Sequence, residues 1–243
     1  MRRYNRDPAH LPAINVINYE TLCTLGENRV ASLRTTTGPS QTARMTSTQH
    51  NASGDESCIR IVVSGSECTG KTVLTRALAA NFGTPFSTES ARDYVNELGR
   101  AVQFSDVEPI ARRQIEIEDA LLCDGSRMYF FDTDLFSTLI YSRLYFGRCP
   151  GWIEPLCRAR RADLYLVCGI DLPWVKDDFQ RGQDTPTKRQ NAHDLFTNVL
   201  NENGCSISAV SGLNDNRLQC AISAIKTWLN SRTAAVDPAL KSS

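Results

Sequence analysis

The 243-residue sequence lacks any surplus of charge of one sign, since 27 Lys and Arg balance 27 Asp and Glu. Bulk electrostatics therefore gives it no reason to bind nucleic acid or another polyanion, and no nucleic-acid partner is expected. Apolar runs are short: none approaches the roughly 20 residues of a membrane-spanning helix, and the N-terminus has no apolar secretory core. The chain reads as soluble and cytoplasmic, without a membrane partner. Metal-ligand spacing is missing as well, because His193 has no Cys, Asp or His cluster around it and the nine cysteines (23, 58, 68, 123, 149, 157, 168, 205 and 220) are scattered. Their odd number, and positions such as Cys168 inside an apolar run, argue for small buried hydrophobes in a reducing compartment. No Gly-x-Ser-x-Gly elbow or supported Cys–His pair favours a covalent hydrolase, and no Asn-Lys-x-Asp run favours guanine recognition.

What is present begins with a polar N-terminal stretch. Residues 1–56 mix Pro, Asn, Ser and Thr with few periodic apolar positions, which predicts a disordered extension. Within it, Arg29 to Ser53 holds arginines, many Ser and Thr and no acid, a composition that also fits an organelle transit peptide. A single folded domain is expected over 57–232, followed by a flexible tail over 233–243. In the domain, strand-like and helix-like patterns alternate, the signature of a parallel sheet with helices on both faces.

Five strands are predicted. The first is Ile59 to Val63, followed by a helix that places Val73, Leu74, Ala77 and Leu78 on one face and stops at Gly83. A second strand covers about 84–88, and a short helix with Arg92 and Tyr94 closes at Gly99. Ser105 and Glu108 have capping-box spacing for a helix reaching Cys123. The third strand is Met128 to Phe131, the fourth Leu164 to Cys168, and the fifth Ser206 to Val210. Between the last two lie a polar charged stretch to about Gln190 and a helix with Ala192, Leu195, Phe196, Val199 and Leu200 inward; a final helix buries Leu218, Ala221, Ile222, Ile225 and Leu229.

Between the first strand and its helix stands Gly65-Ser-Glu-Cys-Thr-Gly-Lys-Thr72. A turn of this kind aims successive backbone N–H groups at one point, where the helix dipole adds positive potential. The pattern predicts a phosphate cradle made by Gly65, Glu67, Cys68, Thr69 and Gly70, with Lys71 reaching the β- and γ-phosphates of ATP and Thr72 holding Mg²⁺. Both side chains are expected to point to solvent without ligand.

Asp132 and Asp134 follow the third strand at the edge where open α/β sheets bind ligands. They read either as metal or substrate ligands, Asp132 being the better metal candidate, or as solvated loop acids. Glu89 leaves the second strand on the same edge, either to orient a substrate hydroxyl or to stabilise the first helical turn. Arg92 pairs with substrate or with Asp93. The run from Lys176 through Arg181, Thr185, Lys188 and Arg189 is a lid carrying arginines or a solvated surface.

Taken together, the loop at 65–72, Glu-Ser-Ala-Arg-Asp-Tyr-Val at 89–95 and Phe-Asp-Thr-Asp at 131–134 resemble the ribosylnicotinamide kinase domain of NadR-type proteins. Tyr141 to Gly147, Asp171-Leu-Pro-Trp174, Arg181 with Arg189, and Ser211-Gly212 with Arg217 fall in the order that family shows, so the likeness spans about 58–230. It implies an α/β P-loop fold of the nucleotide-kinase type with a lid, a small-molecule nucleoside substrate phosphorylated by ATP with Mg²⁺, lid roles for Arg181 and Arg189, and Gly212 and Arg217 near the adenine. Lys71, Glu89, Asp132 and the two lid arginines would be catalytic, and Arg92, Asp134 and Trp174 would line the substrate. The sequence lacks the His-x-Gly-His motif of the adenylyltransferase that bifunctional members carry, and its first 56 residues are too short for that domain plus a helix-turn-helix, so neither activity is expected. A nucleotide-regulated switch module is the competing class, and a homo-oligomer is left open.

Overall fold

The computed structural model describes residues 58–236 apart from 89, 124 and 176–182. Five parallel strands form one sheet: β1 (Ile59–Ser64), β2 (Phe86–Ser87), β3 (Met128–Asp132), β4 (Leu164–Cys168) and β5 (Ile207–Val210), in the order β2-β3-β1-β4-β5. The register sets Val63 opposite both Asp132 and Leu166, so β1 is central and its exit lies between those of β3 and β4. The strands read as continuous apolar runs because both faces are covered. Alternate side chains feed two cores: Val62, Tyr129, Phe131 and Tyr165 one, Ile61, Val63, Phe130 and Leu166 the other. Each fully buried side chain of this size contributes about 1.5–3 kcal/mol.

Helices α1 (Lys71–Phe82), α2 (Ser90–Leu98), α3 (Val107–Leu122), α4 (Leu135–Phe146), α5 (Ile153–Ala159), α6 (Pro186–Glu202) and α7 (Asp215–Val236) connect the strands or follow the last. Leu74 and Leu78 of α1 pack on one sheet face with Ile222 and Ile225 of α7; Ala111 of α3, Leu139 of α4, Cys157 of α5 and Phe196 of α6 cover the other. None of the described helices is long and apolar enough to cross a membrane.

Several predicted details are corrected. Val73 is 52% exposed, and the buried face of α1 runs instead through Lys71, Leu74, Thr75, Leu78 and Ala79. β2 is two residues long. The capping box is formed by Gln103 and Asp106, which open a 3₁₀ turn over Phe104–Asp106 ahead of α3. The polar charged stretch expected to run to about Gln190 before the next helix is helical already from Pro186, with Thr185 as its N-cap. Helices α4 and α5 have no counterpart in the sequence reading. In α4, Leu135, Phe136, Ser137, Leu139, Ile140 and Ser142 are all buried, so no polar stripe marks a helical period.

Candidate functional site

The loop from Gly65 to Gly70 is shaped by backbone angles that side chains rarely adopt. Gly65 has φ +135°, and a Cβ there would lie 3.1 Å from the Cys168 carbonyl oxygen. Cys68 and Gly70 sit in the left-handed region at φ 54° and 75°. Such a path turns consecutive N–H groups toward one side, the geometry of an anion nest. The Ser66 carbonyl accepts from both Thr69 Oγ1 and Lys71 Nζ, each at 2.8 Å. Lys71 is therefore 7% exposed and folded over the loop, contrary to the expectation that it points to solvent. An ammonium group this buried requires an acceptor, and the loop's own carbonyl supplies it. Thr72 follows in the first turn of α1 and is half-buried.

Arg217, 5% exposed near the start of α7, holds this loop from behind. Its Nη2 donates to Thr69 O at 2.8 Å and Gly169 O at 2.9 Å, while Nη1 donates to Gly212 O at 2.9 Å and Asp171 Oδ1 at 2.8 Å. One guanidinium thus ties together the exits of β1, β4 and β5. Burial pushes the Asp171 carboxyl up, but the hydrogen bonds from Arg217 and the Gly212 N–H outweigh it and hold the group below its ordinary value. Arg217 and Gly212, expected near the adenine, are thereby engaged in the framework of the loop.

At the exit of β3, Asp132 is 1% exposed, one strand away from the loop. Thr133 turns the chain at φ 68° and donates its N–H to Val63 O at 3.1 Å. Asp134 then caps α4: Oδ1 accepts from the Phe136 N–H at 3.1 Å and Oδ2 from the Tyr165 hydroxyl at 2.8 Å. Burial, reinforced by the charge of Glu118, pushes its carboxyl up to about 7. With both oxygens committed inside the fold, Asp134 supports the start of α4, a correction to its reading as a substrate contact.

The connection leaving β4 lies along the loop. A Cβ on Gly70 would meet Leu172 Cδ1 at 2.8 Å, and Cys68 Sγ contacts Val175 O at 3.4 Å. Arg189, in the first turn of α6, donates from Nη2 to Leu172 O at 3.0 Å. Trp174 lies on the same connection, with its Nε1 buried. Arg92 is on α2; Glu89 and Arg181 lie outside the described residues. Two side chains that sequence reasoning did not single out join this region. The Tyr145 hydroxyl on α4 donates to Glu67 Oε1 at 2.9 Å and accepts from Gln183 Nε2 at 3.2 Å. The sequence signal for Tyr145 is the segment Tyr141 to Gly147, which falls in the order of the NadR-type family; Gln183 carries none.

Residues 60–217, more than half of the chain, match the family model described as an AAA domain. The chain belongs to that AAA-domain family. Within it, this AAA domain is 31% identical over 147 residues to the trifunctional NAD biosynthesis/regulator protein NadR of Escherichia coli (strain K12), a match covering 59% of this chain and 36% of that protein. It therefore spans about a third of the length of the curated relatives it matches. Two solved structures share its fold at a TM-score of 0.56: NadR in complex with NR, 27% identical, over 70% of this chain and 51% of that one, and NadR in complex with NAD and AMP-PNP, 26% identical, over 70% and 49%. The likeness to NadR read from the loop and the strand exits is thus present along most of the AAA domain.

Proposed function

We propose that this chain is an ATP-dependent small-molecule kinase that phosphorylates the 5′-hydroxyl of nicotinamide riboside to give nicotinamide mononucleotide. The observation that carries the reading is the phosphate loop on the central strand, in a chain similar to NadR proteins solved with NR and with AMP-PNP. The loop amides and Lys71 hold the triphosphate. Glu89 orients the acceptor hydroxyl, whose oxygen bonds to the γ-phosphorus as the bond to the β,γ-bridging oxygen breaks; ADP leaves with the electron pair and the hydroxyl proton passes to Glu89. Arg181 and Arg189 neutralise charge on the transferring group, and Arg92 and Trp174 hold the nucleoside. Water competes as a nucleophile, so excluding it is part of their work.

Thr72 and Asp132 offer hydroxyl and carboxylate oxygens from neighbouring elements at one sheet edge, hard donors that suit Mg²⁺, an ion that draws its other ligands from water and phosphate. Mg²⁺ bound there would supply charge neutralisation between the β- and γ-phosphates.

The test is acceptor-dependent ADP release by the purified chain, with nicotinamide riboside, purine and pyrimidine nucleosides, thiamine and buffer alone. Stimulation by nicotinamide riboside above the others is expected. Strong preference for another nucleoside would overturn the acceptor and leave the kinase, whereas no stimulation by any acceptor would replace the kinase with a nucleotide-regulated switch module.

A further inference from the structure

Three side chains from three separate connections meet beside the phosphate loop, and chemistry fixes the direction of each hydrogen bond between them. An ionised carboxylate such as Glu67 accepts and does not donate. The Tyr145 hydroxyl gives its one proton to Glu67 Oε1 at 2.9 Å, so toward Gln183 it offers only lone pairs. Gln183 must then present its amino group, and Nε2 donates to the Tyr145 oxygen at 3.2 Å. An isolated amide has no reason to prefer either orientation, and the network decides it. Oε1 is left buried and without a hydrogen-bond partner among the described residues, on a residue only 4% exposed.

The geometry points to Gln183 as a specificity-determining residue of the acceptor site, its Oε1 accepting a hydrogen bond from an N–H or O–H of the acceptor nucleoside. This rests on the kinase reading above. Phosphate oxygens are excluded as the occupant, because they too are acceptors. The occupant is therefore a donor, and an acceptor nucleoside offers two: the carboxamide of a nicotinamide-like base or a ribose hydroxyl. Tyr145 is a positioning residue that determines which end of Gln183 faces the substrate. Its helix is braced for this, since Tyr141 stacks on Tyr145 and packs edge-on against Phe196 of α6, the helix Gln183 leads into.

The experiment compares steady-state kinetics of the full chain and its Gln183→Leu and Tyr145→Phe variants on nicotinamide riboside, nicotinic acid riboside (no amide N–H) and the 2′- and 3′-deoxyribosides, with thermal melting as a check on folding. If the panel described above selects another nucleoside, its own deoxy and deamino analogues take their place. Gln183→Leu is expected to raise the acceptor KM about tenfold, the worth of one hydrogen bond to a buried acceptor, with the KM for ATP unchanged. Tyr145→Phe is expected to act in the same direction and more weakly, because the amide is then free to turn over. The analogue that lacks the partner donor should be handled alike by wild type and Gln183→Leu, which separates the carboxamide from the ribose. An acceptor KM within twofold of wild type in both variants, or a rise in the KM for ATP instead, would overturn the inference while leaving the kinase intact. Failure of the wild type to use any nucleoside would overturn both.

Discussion

Arg217 Nη2 donates to the Thr69 carbonyl at 2.8 Å, across 148 residues of chain. A peptide unit is planar and trans, so a carbonyl held toward Arg217 turns the following Gly70 N–H the opposite way. Arg217 thus sets the orientation of an amide in the loop. Arg217→Ala is expected to weaken binding of a non-hydrolysable ATP analogue by at least about tenfold, and to cost about 2–3 kcal/mol of stability through carbonyls left without donors. Arg217→Lys should recover some stability and little affinity, because one ammonium cannot reproduce a planar fork serving four acceptors. Calorimetric titration and denaturant melts measure the two quantities; unchanged affinity in the alanine variant would reduce Arg217 to a purely structural role.

Lys71→Ala and Thr72→Ala are expected to lower phosphoryl transfer by about 10²-fold or more, because the missing groups act on charge that develops in the transition state. Folding should survive, since Thr69 Oγ1 still holds the Ser66 carbonyl. Wild-type turnover by either variant, measured by coupled ADP release, would remove the basis for the kinase assignment.

Asp134 links the fold to pH. Its carboxyl, raised from an ordinary 3.8 to about 7, binds a proton in the folded chain that the unfolded chain releases between those values. Stability from this group is therefore highest below about pH 4 and falls as pH rises toward 7, by about 1.4 kcal/mol per pH unit in mid-window. Asp134→Asn does not titrate, so its stability relative to wild type should improve steadily from pH 4 to 7 in urea melts. A pH-independent difference between the two proteins would contradict this assignment.

Gly70→Ala tests the loop's shape without touching a charge. Alanine at φ 75° is strained by about 1 kcal/mol or more, and its methyl group would force Leu172 Cδ1 away from 2.8 Å. We expect a modest fall in melting temperature and a much larger loss of nucleotide affinity. A stability loss with full affinity would show that the loop reshapes around the methyl group.

The sheet was legible in the sequence because strands buried on both faces write themselves as apolar runs, and the loop because its glycines and Lys-Thr ending sit between a strand and a helix. Periodicity failed where burial is lopsided or complete. Val73 matched the spacing of an inward face and is exposed, whereas α4 is buried nearly all round and showed no face at all. Ser105 and Glu108 had capping spacing, but Gln103 with Asp106 starts the turn two residues earlier. Positions adjacent to strands were legible too: Asp132 stands at the end of β3, where the apolar run before it placed it. The roles of Tyr145, Gln183 and Arg217 depend on bonds to residues far away in sequence, and no local pattern encodes those.

The central place of β1 also dictates when the loop takes shape during synthesis. β1 is among the first segments of the domain to be made, yet its neighbours β3 and β4 come much later, and the Thr69 carbonyl waits for Arg217. At about 5–20 residues per second, that last interval is roughly seven to thirty seconds of translation. Until β3 and β4 are made, the nascent chain carries an apolar strand that nucleotide has no means of protecting. Ligand-assisted folding is thus available only once the domain is made as far as Arg217, and chains arrested before Arg217 should gain no protease resistance from ATP.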